Sequence, residues 1–213
     1  MCAKLVCGVG INDSETNINE RTTLGYVNGK QKQKTIWSCP FYIVWADMLK
    51  RCYSQKYLAK YPTYNGCQVC DDWIYFTKFR SWMQSQDWQG KELDKDIICM
   101  GNKVYGPDLC VFVDKIVNYA VLTNGSKRGE FPLGVSSTKS GKYRAECNYL
   151  GEYRYLGVFS TTQAAHKAWK TAKIESLSAL LEIQSDTRII QGIQFRINLL
   201  QQAIDTNEEI TRL

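Results

Sequence analysis

Between residues 133 and 173 the chain carries a pattern that leaves little choice of fold: three short runs with strand character, two glycine turns between them, then a helix with a small-residue face. The runs are 133–137, 142–149 and 152–158, separated by Ser140-Gly141 and Leu150-Gly151. Glycine supplies the positive φ that tight turns demand, so the runs read as three short strands joined by turns. Ser160-Thr161-Thr162 can cap a helix starting near 161, because a hydroxyl there accepts from the unpaired amides of the first turn. Ala164, Ala165, Ala168, Trp169 and Ala172 share one face of that helix and let it lie close on the sheet.

Strand alternation assigns the faces. In the middle strand Tyr143, Ala145 and Cys147 fall on one side, and Arg144, Glu146 and Asn148 on the other. The small pair suits contact with the alanine-faced helix, so Arg144, Glu146 and Asn148 are expected to face outward. On the next strand an inward Leu156 puts Tyr153 and Tyr155 outward and leaves Arg154 pointing inward near an edge, unless a bulge intervenes.

Charge falls on the same segment. The 213-residue chain has a formal net charge of +6. Residues 127–173 alone hold nine bases (Lys127, Arg128, Lys139, Lys142, Arg144, Arg154, Lys167, Lys170, Lys173) against three acids (Glu130, Glu146, Glu152). Tyr143, Tyr149, Tyr153 and Tyr155 are interleaved with them. Local basic excess with aromatic side chains is the electrostatic footprint of nucleic-acid binding. A solvated basic surface is the plainer alternative.

The rest of the chain reads as helices and loops around a short hairpin. Residues 1–34 are polar, with Gly-Lys-Gln-Lys-Gln-Lys at 29–34, and read as a tail or extended arm. Phe41, Val44, Trp45, Met48, Leu49 and Cys52 recur at helical spacing and predict a helix over 36–53. A second is predicted over 71–86, with Trp73, Phe76, Phe79, Trp82 and Met83 on its face. Residues 93–99 read as a strand, Gly101-Asn102 as a turn, 104–105 as a return strand and Gly106-Pro107-Asp108 as the opening of a helix to about 120. The best linker is 123–130. A last helix, about 186–211, carries a stripe at Ile189, Ile193, Ile197, Leu200 and Ile204 that either packs back or forms the seam of a homodimer.

Composition limits the chemistry. The single histidine, His166, excludes mechanisms that need two or three imidazoles. No apolar stretch of about 18 residues is present, so a membrane partner is not expected. The start, Met1-Cys2-Ala3-Lys4-Leu5, lacks an apolar signal core. The nine cysteines are therefore expected as thiols or metal ligands in a reducing, cytoplasmic setting.

Two family resemblances sharpen this reading. Gly134-Val135, then Gly141-Lys142-Tyr143-Arg144-Ala145-Glu146, then Tyr155-Leu156-Gly157-Val158-Phe159-Ser160-Thr161, then Ala164-Ala165 and Ala168-Trp169 resemble the Apetala-two/ethylene-response-factor type of DNA-binding domain. The resemblance implies a three-stranded antiparallel sheet backed by a helix and laid in the major groove of double-stranded DNA. Arg144, Glu146, Asn148, Tyr153 and Tyr155 would face the duplex, with Lys139 and Lys142 on phosphates. Several Arg and Trp contacts of the plant domains are missing here, so their target sequence does not transfer.

Residues 93–118 resemble the ββα-metal core of HNH endonucleases. The whole of 36–176 is similar to phage-encoded proteins that join a degenerate HNH core to an Apetala-two-like domain. The resemblance puts Asp94 at the first metal position, Asn102 at the middle Asn, and Asn118, or Asp114 one turn earlier, at the helical metal position. Oxygen ligands of this kind suit Mg²⁺. The general-base position falls on Lys95, and a charged lysine cannot accept a proton from water. Cys67, Cys70 and Cys110, with Cys52 or Cys99 as the fourth thiolate, would make a zinc knuckle of the type some HNH proteins carry, and buried free thiols acting as small hydrophobes are the plainer alternative.

The expectation is thus an α+β protein. It has a polar arm (1–34), an HNH-like module (35–125), a sheet reader (126–176) and C-terminal helices (177–213). It would act on DNA in an infected bacterial host, as a homing-type endonuclease or nickase with a degenerate core. The alternative is a non-catalytic DNA-binding regulator, or an anti-host factor that binds DNA or a host protein.

Overall fold

The computed structural model describes residues 5–121 and 130–213. The linker expected at 123–130, save its last residue, lies outside the described residues, as do Lys127 and Arg128. The fold is mixed α+β with several small sheets, and it divides into two compact units. Unit one comprises Met1–Gln89 and Gly101–Cys110, and unit two comprises Gly90–Met100 and Val111–Leu213. No helix among the described residues is long and apolar enough to cross a membrane.

Unit one opens with an antiparallel hairpin, β1 (Asn19–Val27) and β2 (Lys30–Ser38). Asn28 and Gly29 form its turn with φ of 50° and 73°. Two consecutive residues at positive φ match the twist of the flanking strands, which is why Asn-Gly favours such turns. The expected polar arm is therefore an ordered ribbon over its second half. Residues 36–38 complete β2, and α1 begins later than expected, at Pro40–Tyr53. Next come α2 (Gln55–Lys60), β3 (Gln68–Val69), a 3-10 turn at Asp71–Ile74, and α3 (Phe76–Gln84). The predicted aromatic faces form the core: Trp45, Met48, Leu49, Trp73, Phe76, Phe79 and Met83 are buried. The indole N–H of Trp45 donates to the Trp73 carbonyl at 2.7 Å.

Unit two contains β4 (Glu92–Asp94), β6 (Val111–Val113), α4 (Lys115–Val121), β7 (Val135–Ser137), β8 (Tyr143–Tyr149), β9 (Glu152–Phe159), α5 (Thr162–Leu181) and α6 (Thr187–Asp205). The expected 93–99 strand is only β4, and its partner is not 104–105. Residues Val104–Tyr105, β5, pair in parallel with β3 inside unit one. β4 instead pairs antiparallel with β6, and the helix that follows begins at Lys115, not near 108. The reason is burial: Val111, Phe112 and Val113 are all shut from solvent and take the extended form of a covered strand.

Boundaries expected at 125 and 176 give way to one core across unit two. Ile97, Val111, Val113 and Val117 share a cluster with Trp169, Leu177, Leu180, Ile189, Ile193 and Leu200. The apolar stripe of α6 is covered within its own unit, so it packs back and is not left as a dimer seam.

Candidate nucleic-acid interface

β7, β8 and β9 form a three-stranded antiparallel sheet in that order. Its inner face is small and closed. Ala145 and Cys147 are buried, and Val135 and Ala145 pack on Ala165 of α5. Thr161 caps α5, its side chain accepting from the Ala164 amide at 3.2 Å. Gly134, at φ 75°, lies so near the Trp169 indole that a Cβ there would collide with the ring.

The outer face follows from the register. Arg144 stands opposite Val158, Glu146 opposite Tyr155 and Asn148 opposite Tyr153. The pairing shifts between Ala145 and Glu146, whose partners are Gly157 and Tyr155, so Leu156 is the extra residue of a bulge. Gly157 accommodates it with φ 120°. The bulge does not turn Arg154 outward. Arg154 pairs opposite buried Cys147, but near the end of the sheet, where it is exposed and stacks 3.3 Å above the Tyr149 ring.

The expected interface residues are thus brought together. Arg144, Tyr153 and Tyr155 are exposed on one sheet face, with Tyr153 at 75% and Tyr155 at 62% exposure. Two exposed tyrosine rings on one strand face leave an aromatic surface open to solvent. The Arg144 guanidinium lies 5.7 Å from the centre of the Tyr155 ring and pairs with the Glu146 carboxylate on its own strand. Asn148 is partly committed: its Oδ1 accepts from the Gly151 amide at 3.0 Å and shapes the β8–β9 turn. Lys139 and Lys142 are exposed on the β7–β8 turn, which Thr138 holds by bonding both the amide and the carbonyl of Lys142.

The basic segment contributes less surface charge than its composition implies. Lys170 and Lys173 are buried. Lys170 Nζ donates to the carbonyls of Ala203 (2.6 Å) and Glu208 (2.8 Å), at the end of α6. Lys173 Nζ donates to the Ala120 carbonyl in the last turn of α4 at 2.8 Å. Each closes a helix C-terminus, where unpaired carbonyls favour a cation, and burial pushes both pKa values down. His166 is structural too. The Ile210 amide donates to Nε2 at 3.0 Å, so Nδ1 carries the proton and donates to the Leu133 carbonyl, also at 3.0 Å.

The residues expected to perform catalysis are engaged in backbone and side-chain bonds. Asp94 Oδ1 accepts from the amides of Asp96 (2.8 Å) and Ile97 (2.6 Å). Burial outweighs those two bonds and raises its pKa. Lys95 is buried and donates to Asp96 Oδ2 at 2.6 Å. Asn102 belongs to unit one, and its amide closes a ring on Val104, donating to the carbonyl (2.7 Å) and accepting from the N–H (2.9 Å). Asn118 Nδ2 donates to Glu92 Oε2 at 2.6 Å, while Asp114 is exposed just before α4. Cys52, Cys67 and Cys110 are buried and Cys70 half-buried. Among the described residues, no three Cys, His, Asp or Glu side chains converge in a way that would hold a metal.

The run at 29–34, expected as part of a polar tail or extended arm, lies instead in the turn and paired strands of the β1–β2 ribbon. Arg21, Lys30, Lys32 and Lys34 are exposed on ordered strands, and Asn28-Gly29 was the signal for their turn. No protein-family model, curated protein or solved structure matches the chain.

Proposed function

We propose that this protein binds duplex DNA through the outer face of β7–β9, without cutting it. One observation carries the reading. A sheet sealed by α5 on one side presents Arg144, Tyr153 and Tyr155 to solvent on the other, with Lys139 and Lys142 at its turn. A small antiparallel sheet of this width can enter a major groove, where arginine donates to base edges and lysines at the rim meet phosphates. The resemblance to Apetala-two-type domains supports the same face. The resemblance to HNH cores supports a nuclease origin, but the polar atoms of Asp94, Lys95 and Asn102 hold local backbone and side-chain bonds instead. A non-catalytic regulator of DNA, of phage or mobile-element type, fits these assignments best.

The test is a gel-shift on a mixed-sequence duplex run beside a nicking assay on supercoiled plasmid, each with Mg²⁺ and with EDTA. Binding should be equal in both buffers, weaken with salt and fall about tenfold, or 1.4 kcal/mol, in Arg144→Ala. Plasmid should stay supercoiled. Mg²⁺-dependent nicking that vanishes in Asp94→Ala would replace this reading with the nuclease.

A further inference from the structure

We infer that the β1–β2 ribbon is a second DNA-contacting element, a lysine rail that lies along the phosphates of the duplex; this extends the reading above that the protein binds DNA. The ribbon pairs nine-residue strands, about 30 Å in length at 3.3 Å per residue. Every described residue from Glu20 to Trp37 except Gly25 is exposed. An isolated two-stranded hairpin is marginal in water, so strands this long and this uncovered bury little that would account for them. Their anchoring is at the base, where Ser38 Oγ donates to Asn19 Oδ1 at 2.7 Å and the Cys39 amide to the Ile18 carbonyl at 2.8 Å.

The charge on the ribbon is ordered. Lys30, Lys32 and Lys34 alternate with Gln31 and Gln33, so the three lysines share one face and recur about every 6.6 Å. Across the strands, Thr22 pairs with Lys34 and Gly25 with Lys32, and neither places an acid beside a lysine. The other face carries Gln31 and Gln33, linked to each other at 3.1 Å, with Gln31 donating to Thr23 Oγ1 at 2.6 Å, and Arg21 opposite Thr35. Glu20 is the only acid on the two strands, at the end far from the turn. A straight row of exposed cations, with the ribbon's one acid, Glu20, beyond its end far from the turn, matches a linear polyanion better than the mixed charges of a protein surface. A two-stranded ribbon is also an element that fits a major groove.

The experiment measures duplex affinity of the full chain against salt for wild type, K30Q/K32Q/K34Q and R144A, with thermal unfolding as a fold control. The lysines are exposed, so the triple variant should melt like wild type. Removing three phosphate contacts should flatten the slope of log affinity on log salt by about 2.7, at about 0.9 per contact. R144A should change that slope by no more than about one. A triple variant with the wild-type slope overturns the rail, and so does a wild-type protein with no duplex affinity. If the triple variant loses slope and affinity while R144A binds normally, the rail stands and the sheet reading falls. A lysine-dependent slope seen on single-stranded RNA but not on duplex DNA also overturns the rail.

Discussion

Residues 94–97 and the β8–β9 face lie in the same unit and draw on similar polar side chains, yet they use them in opposite ways. Around 94–97 the side chains turn inward. Asp94 ties two amides, Lys95 is buried on Asp96, and Arg196 of α6 donates to the carbonyls of Ile97 (2.8 Å), Asp96 (2.6 Å) and Gly192 (2.8 Å). On the sheet, Arg144, Tyr153 and Tyr155 stand in solvent, where they add little to stability. Polar groups already spent on the backbone are poorly placed to meet a ligand, whereas groups left in water can exchange it for one. The contrast separates a region that holds the fold from a region that can bind.

Breaking the inward region should show the largest effect. Arg196 is 1% exposed, and its guanidinium serves three carbonyls. Arg196→Met keeps the apolar stem and removes every donor, leaving those carbonyls short of a partner at about 1 kcal/mol or more each. Urea unfolding should show a loss of about 3 kcal/mol or more, with duplex affinity of the folded fraction within about twofold of wild type. A stable variant that no longer binds DNA would invert the comparison.

Asp94 offers a smaller test with a sign. Its folded pKa is raised by burial, so between the unfolded and folded pKa values the folded state holds a proton that the unfolded state has released. Stability from this group is therefore full below the unfolded pKa, near 3.9, and declines as pH rises through the folded value. Asp94→Asn keeps the oxygen that accepts from Asp96 and Ile97 and removes the titration. Its stability should be flatter with pH above about 4 and at least equal to wild type at neutrality. Asp94→Ala removes the acceptor as well and should cost about 1 kcal/mol. If Asp94→Asn is the less stable at neutral pH, the pull of the buried cations Lys95 and Arg196 on the Asp94 carboxylate outweighs its burial, and the raised pKa is overturned.

These regions also differ in how far they can be read from sequence. The sheet is legible because its signals are local: alternation over β8, glycine at each turn and an alanine face on α5. The pairing of β4 with β6 is not, because Val104–Tyr105 looks equally able to return and its real partner, β3, lies more than thirty residues earlier. Tyr105 is held in unit one by a hydrogen bond with Arg51, a distant contact that no local pattern encodes. Lys170 and Lys173 misled by residue type, since lysine is usually exposed. Their positions were informative: 166, 170, 173, 177 and 180 follow helical spacing, and all five are buried. The β1–β2 ribbon has no covered face and so no regular apolar alternation, which leaves Asn28-Gly29 as the local sign of its turn.

The smallest effect bears on the outward region alone. Arg144 and Glu146 share a face of β8 and form an ion pair, with Arg144 half exposed and Glu146 more covered. Exposed pairs contribute little to stability, about 0–1 kcal/mol, so Glu146→Gln should leave the melting temperature nearly unchanged. Its effect on DNA should be a gain. The carboxylate draws the guanidinium toward the sheet and adds negative charge where a polyanion must approach. Removing it frees Arg144 to turn outward while Tyr155 still supports the guanidinium from the neighbouring strand. We expect affinity to rise about two- to threefold at low salt and the gain to shrink at high salt, as screening weakens the repulsion. A loss of affinity in Glu146→Gln would mean that Glu146 orients Arg144 for contact or accepts from a cytosine amino group itself. The outward face would then be a pre-set reading head, with the ion pair part of its geometry and not a competitor for the duplex.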